Sequence, residues 1–187
     1  MTRRRKASDT PCPDSGDAVR LRQARPADAP LLERWNRQPH VIAATGDDGE
    51  GLHIDWVREL TVDSPWSEWL VAEEDGRPVG VLQIIDPRLE ETHYWGECEP
   101  FLRALDIWIG EAEDLGRGLG SQMMKLALAR CFAEPRVTAV LIDPLASNTR
   151  AHRFYERLGF RFVERRDFDG DDCFVFRLAR EDWNTSR

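Results

Sequence analysis

The sequence predicts an α/β domain on a mixed sheet, with antiparallel strands early and a strand–helix–strand crossover at the centre. Three observations predict it. Two strand-like runs, 68–74 and 78–85, are joined by Asp75-Gly76, a dipeptide that favours a tight hairpin turn. A strand pattern at 103–109 leads through the glycine-rich stretch Leu115-Gly116-Arg117-Gly118-Leu119-Gly120 into a helical pattern reaching about Ala133. The continuous apolar run 137–142 that follows is of the type buried inside parallel sheets, so the helix between them reads as a crossover.

The elements follow in chain order. Residues 1–18 pair a basic cluster (Arg3, Arg4, Arg5, Lys6) with a polar Ser-, Asp- and Pro-rich run and read as a disordered leader, leaving 19–187 as one domain. Residues 19–25 alternate as a strand. Pro26-Ala27-Asp28 then opens a helix to about Asn36, with Leu31, Leu32 and Trp35 at helical spacing. The Gly-, Asp- and Glu-rich stretch 40–52 is expected to be a mobile loop, and 54–60 a second helix. On the long helix Met123, Met124, Ala127, Leu128 and Cys131 share one face, so the methionines are read as core; Glu134-Pro135 stops it. Ser147 or Asn148 caps a further helix to Leu158, and Gly159 ends it. Strands at 160–165 and 173–178 close the chain across Asp169-Gly170.

Composition excludes several classes. At 187 residues and a net charge of −8, the chain is a poor general nucleic-acid binder, and no run approaches the roughly 20 apolar residues of a membrane helix. Cys12, Cys98, Cys131 and Cys173 stand far apart and form no metal-ligand spacing with His40, His53, His93 or His152, which fits reduced thiols, no metal and a cytoplasmic home. The acidic balance suits a cationic small substrate, to be met as a monomer or homodimer.

The glycine stretch carries the chemistry. Glycines let the backbone turn tightly and approach a ligand, and a helix starting there offers unpaired N–H groups at the positive end of its dipole. Together they form a cradle for a pyrophosphate. The spacing matches neither a dinucleotide fingerprint after a first strand nor a loop ending in Gly-Lys-Ser/Thr. Downstream, Asp143-Pro144-x-x-Ser147-Asn148-x-x-Ala151-x-x-x-Tyr155-Glu156-x-x-Gly159-Phe160 sets Asn148, Ala151 and Tyr155 on one helix face.

With these two segments, 19–183 resembles the GNAT superfamily of N-acetyltransferases. Gly118 and Gly120 match the glycines of its Gln/Arg-x-x-Gly-x-Gly/Ala loop, whereas Leu115 departs from its Gln/Arg position. The same departure, the Asp143–Phe160 segment and the run Glu99-Pro100-Phe101-Leu102-Arg103-Ala104-Leu105-Asp106 are similar to the aminoglycoside 6′-N-acetyltransferase branch. A paired-tryptophan substrate loop of that branch is here Val41-Ile42-Ala43-Ala44-Thr45-Gly46.

The resemblance implies a twisted mixed sheet flanked by helices, with a splayed pair of parallel strands holding acetyl-CoA. It implies acetyl transfer to a primary amine by direct attack. The acceptor is expected to be a small cation (aminoglycoside-like, amino sugar or polyamine). A protein N-terminus or lysine is the alternative, and a non-catalytic acetyl-CoA sensor is a third reading. The implied cofactor contacts are Trp108, Ile109, Leu115, Gly116, Arg117, Gly118, Leu119, Gly120, Ser121, Asn148, Ala151 and Tyr155. A backbone N–H around Trp108 or Ile109 would meet the oxyanion.

An ammonium must lose a proton before it can attack, so a base is needed. The resemblance puts Asp106 near the amine as the first candidate, with Glu97 and Glu99 as alternatives, and makes Tyr155 the choice to protonate the leaving thiolate. Glu97, Glu99, Asp106 and Asp143 are expected to attract the acceptor, together with the 169–172 loop. Each role has a structural alternative: Asp106 and Asp143 as strand ends, Asn148 as a helix cap, Arg117 pointing to solvent. His152 is expected on the helix surface. Trp66, Trp69, Trp95 and Trp108 fit either core or a pocket wall.

Overall fold

The computed structural model describes residues 19–46 and 54–185, and the expected leader lies outside them. Its centre is a seven-stranded sheet in the order β1-β2-β3-β4-β5-β7-β6. The strands are β1 Val19–Gln23, β2 Ser67–Glu74, β3 Arg77–Ile85, β4 Leu102–Ile109, β5 Ala139–Ile142, β6 Arg161–Phe168 and β7 Asp171–Ala179. Every pairing is antiparallel except β4 with β5. The turn between β2 and β3 uses Asp75 and Gly76, both with positive φ (52° and 79°), as a right-twisted hairpin requires.

The helix α4, Leu119–Ala133, is the crossover between the two parallel strands. Met123, Met124, Ala127, Leu128 and Cys131 are all buried, and they pack with Leu70, Leu82, Leu105 and Val140 on one sheet face. Helix α5, Thr149–Arg157, joins the same layer through Tyr155 and is capped by Asn148, whose side chain accepts the Ala151 N–H at 3.1 Å. The strand and crossover expectations hold, with ends shifted by one to three residues.

Two separate covers share the opposite face. Helices α1 (Ala29–Asn36) and α3 (Trp56–Glu59) press Leu32, Trp35 and Trp56 onto Trp69, Val71 and Val81. The segment 86–101 lays Trp95 over Ile85, Ala104 and Leu141, beside Phe168. The fit under α1 is close: a Cβ on Gly110 would lie 2.0 Å from the Trp35 ring.

Three expectations need correction, and one helix was not expected. The stretch 40–52 begins not as a loop but within helix α2, Pro39–Thr45; its continuation at 47–53 lies outside the described residues. Proline at the first helical position costs no hydrogen bond there, and Val41 is fully buried. The helix expected at 54–60 shrinks to the single turn of α3, capped by Asp55. A short C-terminal helix, α6 Arg180–Thr185, had no sequence signal. Finally, His152 is buried rather than on the surface: its Nε2 donates to Leu145 O (2.9 Å) and its ring stacks on Phe174.

Candidate active site

The parallel pair β4 and β5 is joined for only three residues, Leu102↔Ala139, Arg103↔Val140 and Ala104↔Leu141. Beyond that, β4 runs on to Ile109 while β5 stops at Ile142. The cause is local. Pro144 follows Asp143, and the chain leaves β4 for β7: Phe174 N–H donates to Pro144 O (2.9 Å) and Ala146 N–H to Asp172 O (2.7 Å). A wedge opens between the strands, with Asp106 on one side and Asp143 on the other.

Two further hydrogen bonds set the phase of β4. Gly110 N–H donates to Val79 O (3.0 Å), and Thr138 N–H donates to Phe101 O (2.9 Å). Because strand polar groups alternate sides, Asp106 and Trp108 turn their N–H and C=O towards β3, while Ile107 and Ile109 turn theirs into the wedge. The Ile109 carbonyl accepts a hydrogen bond from His40 Nε2 of α2 at 2.9 Å. The backbone donors aimed at the wedge therefore belong to Ile107 and Ile109, whereas Trp108 offers its side chain to the cavity below. Ile107 was invisible to sequence reasoning, because only the ladder phase reveals it.

That cavity, about 470 Å³, lies between the two covers. Asp106, Asp143, Glu90 and Asp171 line it along with Trp66, Trp69, Trp95, Trp108 and Tyr155, so the four tryptophans serve as wall as well as core. Trp69 meets Trp108 edge to face at 6.0 Å. Glu97 and Glu99 are exposed and do not line it; the structure does not bring them to Asp106. Glu90 and Tyr94 stand there instead. Glu90 accepts the N–H groups of Thr92 (2.7 Å) and Tyr94 (2.8 Å), which fixes the turn that carries Tyr94. Burial pushes the Glu90 carboxyl up, but these hydrogen bonds outweigh it and hold it below its usual range.

The titration of the site follows from enclosure. Burial, with the Asp143 charge added, raises the Asp106 carboxyl to about 7. Asp143 is also raised by burial, against the pull of the Tyr94 hydroxyl, which donates to its Oδ2 at 2.7 Å. Tyr155 is pushed up by burial and by the two carboxylates, so it keeps its proton at neutral pH. A carboxyl near neutrality facing a protonated phenol has the makings of an acid–base pair.

Around the other end of the wedge, Gly116 and Gly118 hold φ of 77° and 82°, and a Cβ at either would project into open space. Gly118 is the N-cap of α4. The Ser121 and Gln122 N–H groups bond back to Gly118 O, while those of Leu119 and Gly120 have no acceptor among the described residues. Gly120 sits beside Phe154 of α5, which brings the Asn148–Ala151–Tyr155 helix alongside the loop. Leu115 is half-buried before the loop. The Arg117 side chain is exposed, and its guanidinium pairs with Asp114 (2.6 Å) and Glu74 (2.8 Å). The open backbone and free donors fit the pyrophosphate of a CoA thioester.

A wedge between parallel strands, an anion cradle at one end and an acid–base cavity at the other define an enzyme that presents an acyl thioester to an amine. The chain belongs to the GNAT acetyltransferase domain family, whose model matches residues 25–168. It is 30% identical over 152 residues to an aminoglycoside N(6′)-acetyltransferase type 1 of Klebsiella pneumoniae, covering 79% of this chain and 76% of that one. It is 29% identical over 160 residues to the lysine N-acyltransferase MbtK of Mycolicibacterium paratuberculosis, covering 84% and 72%. Among solved structures, AAC(6′)-Ib in complex with ribostamycin and coenzyme A superposes with a TM-score of 0.82 at 25% identity, covering 91% of this chain and 98% of that one.

Proposed function

We propose that this acetyl-CoA-dependent N-acetyltransferase acts on an aminoglycoside-type polyamine, with Asp106 as base and Tyr155 as acid. The observation that carries the proposal is the cavity itself, where carboxylates and indoles face one another beside the wedge. Carboxylates attract ammonium groups, and indole faces suit the apolar faces of sugar rings.

Acetyl-CoA supplies an activated acyl group; the chain supplies position and proton traffic. The loop amides and the α4 N-terminus would hold the pyrophosphate. The Ile107 and Ile109 amides would meet the thioester arm and the developing oxyanion. Asp143, whose Oδ2 accepts the Tyr94 hydroxyl, faces the ammonium of the acceptor. Asp106, raised to about 7, removes the proton directly or through water as the amine attacks. Tyr155, still protonated, gives its proton to the departing thiolate.

Release of free CoA, followed with a thiol reagent across a panel of amines, tests this. Turnover is expected with aminoglycosides bearing a 6′-amine and not with their 6′-hydroxyl counterparts. Release with lysine or an N-terminal peptide alone would transfer the reading to the lysine-type relative.

A further inference from the structure

We propose that Arg77 and Asp114 are positioning residues for acetyl-CoA: they belong to a closed ring of four charges that holds the glycine loop in its pyrophosphate-binding shape. The proposal rests on the placement of the pyrophosphate at that loop.

The loop itself has little to hold it. Residues 116–118 are exposed, and the nearest buried points on either side are Asp114 and Leu119. Asp114 lies in a short 3-10 turn, 112–114, between β4 and the loop. It is only 3% exposed, although it ends the acidic stretch 111–114. Arg77, the first residue of β3, grips both of its oxygens at 2.8 Å. Arg117, inside the loop, donates to Asp114 Oδ1 at 2.6 Å and to both oxygens of Glu74 at 2.8 and 2.9 Å. Arg77 closes the ring by donating to Glu74 Oε2 at 3.2 Å.

The ring therefore ties an exposed loop to the sheet. Glu74 and Arg77 face each other across the 75–76 turn in the β2–β3 ladder, so their backbone is fixed by the sheet. A two-pronged grip on a buried carboxylate differs from an ordinary surface pair: without Arg77, Asp114 would be an enclosed charge with half its partners lost. Arg77 and Arg117 both hold Asp114 well below the usual carboxylate range, against its burial. Two positive and two negative members leave the ring neutral. Recognition of the phosphates then falls to loop amides, whose directions depend on the conformation the ring imposes. A loop ordered before binding loses less freedom when the ligand arrives.

The test uses the full chain and calorimetry with two probes, CoA and pantetheine, which lacks the pyrophosphate. Arg77→Gln and Asp114→Asn should each weaken CoA about tenfold, because a loop left less ordered loses more freedom on binding. Pantetheine affinity should not change, and Arg77→Lys should recover part of the CoA loss. Arg130→Gln, which breaks an exposed pair with Glu68 away from the loop, should leave CoA binding unaltered. Unchanged CoA affinity in both ring variants overturns the proposal, as does an equal loss for both probes. Where either variant fails to fold, Glu74→Gln carries the test. Weaker CoA binding there supports the ring as an organiser, and tighter binding, from a released Arg117, overturns it. Gly118→Val separates the two levels, because normal CoA affinity in that variant would remove the pyrophosphate from the loop altogether.

Discussion

At the scale of single residues, Asp106 shows how enclosure moves a strand carboxyl into the range in which the proposed base would work. Burial and the nearby Asp143 charge push its carboxyl up from the ordinary aspartate range to about 7. The rate should therefore rise with pH through about 7, as the base loses its proton. Asp106→Asn should lower it by about 10²–10⁴-fold and abolish that rise; a variant with the same midpoint would exonerate Asp106. Stability moves the opposite way. A folded-state pKa above the unfolded one stabilises the fold at low pH, and that contribution is lost as pH climbs from about 4 through 7. Above pH 8 the Asn variant should be more stable than the parent by roughly 2–4 kcal/mol, measured by denaturant titration. Asp106, Asp143 and Tyr155 were legible in the sequence through the family motif. Glu90 and Tyr94 were not, since their place depends on how the 86–101 cover folds back over the sheet, and no spacing announces that.

At the scale of elements, hairpin and crossover were legible because their signals are local: a turn dipeptide, an apolar face, a cap. Helix α2 was hidden by the polar composition of the residues after it, although Pro39 and buried Val41 give it a start and an anchor. Helix α6 is held by tertiary contacts that a window of sequence cannot contain. Its first residue, Arg180, reaches back to the end of α4 and donates to Val137 O (2.6 Å), Phe132 O (3.0 Å) and Glu134 O (2.5 Å). These carbonyls lie at and just beyond a helix C-terminus, where intrahelical donors run out. Arg180→Ala should strip three charge-assisted bonds at once and cost about 2–4 kcal/mol. Thermal unfolding checks this, with CoA affinity expected to hold because the far end of α4 is untouched.

At the scale of the whole molecule, charge and shape act on the two substrates in opposite senses. The chain carries −8 overall and gathers four carboxylates in the cavity proposed for the acceptor, whereas acetyl-CoA is itself a polyanion. Screening over a Debye length of about 10 Å at 0.1 M salt weakens both the attraction and the repulsion. Raising ionic strength from 20 to about 200 mM should therefore raise KM for a polycationic acceptor and lower it for acetyl-CoA. Initial-rate measurements at several salt concentrations separate the two, and parallel movement would remove the electrostatic account. The order of the strands along the chain and the crossover helix were readable from the pattern, whereas α2 and α6 were not. The division of one sheet face between two covers, which creates the cavity, was not.

The wedge between β4 and β5 also leaves a signature in time. Along β4, Asp106 and Trp108 have amide protons locked into the ladder with β3, whereas those of Ile107 and Ile109 face the gap. Amide hydrogen exchange should thus alternate residue by residue along a single strand, slow at 106 and 108 and fast at 107 and 109. A thioester arm lying in the gap would act as a substitute strand, slowing the fast pair and leaving the slow pair as it was. On that reading the substrate would complete the sheet while bound, and its departure would reopen the gap.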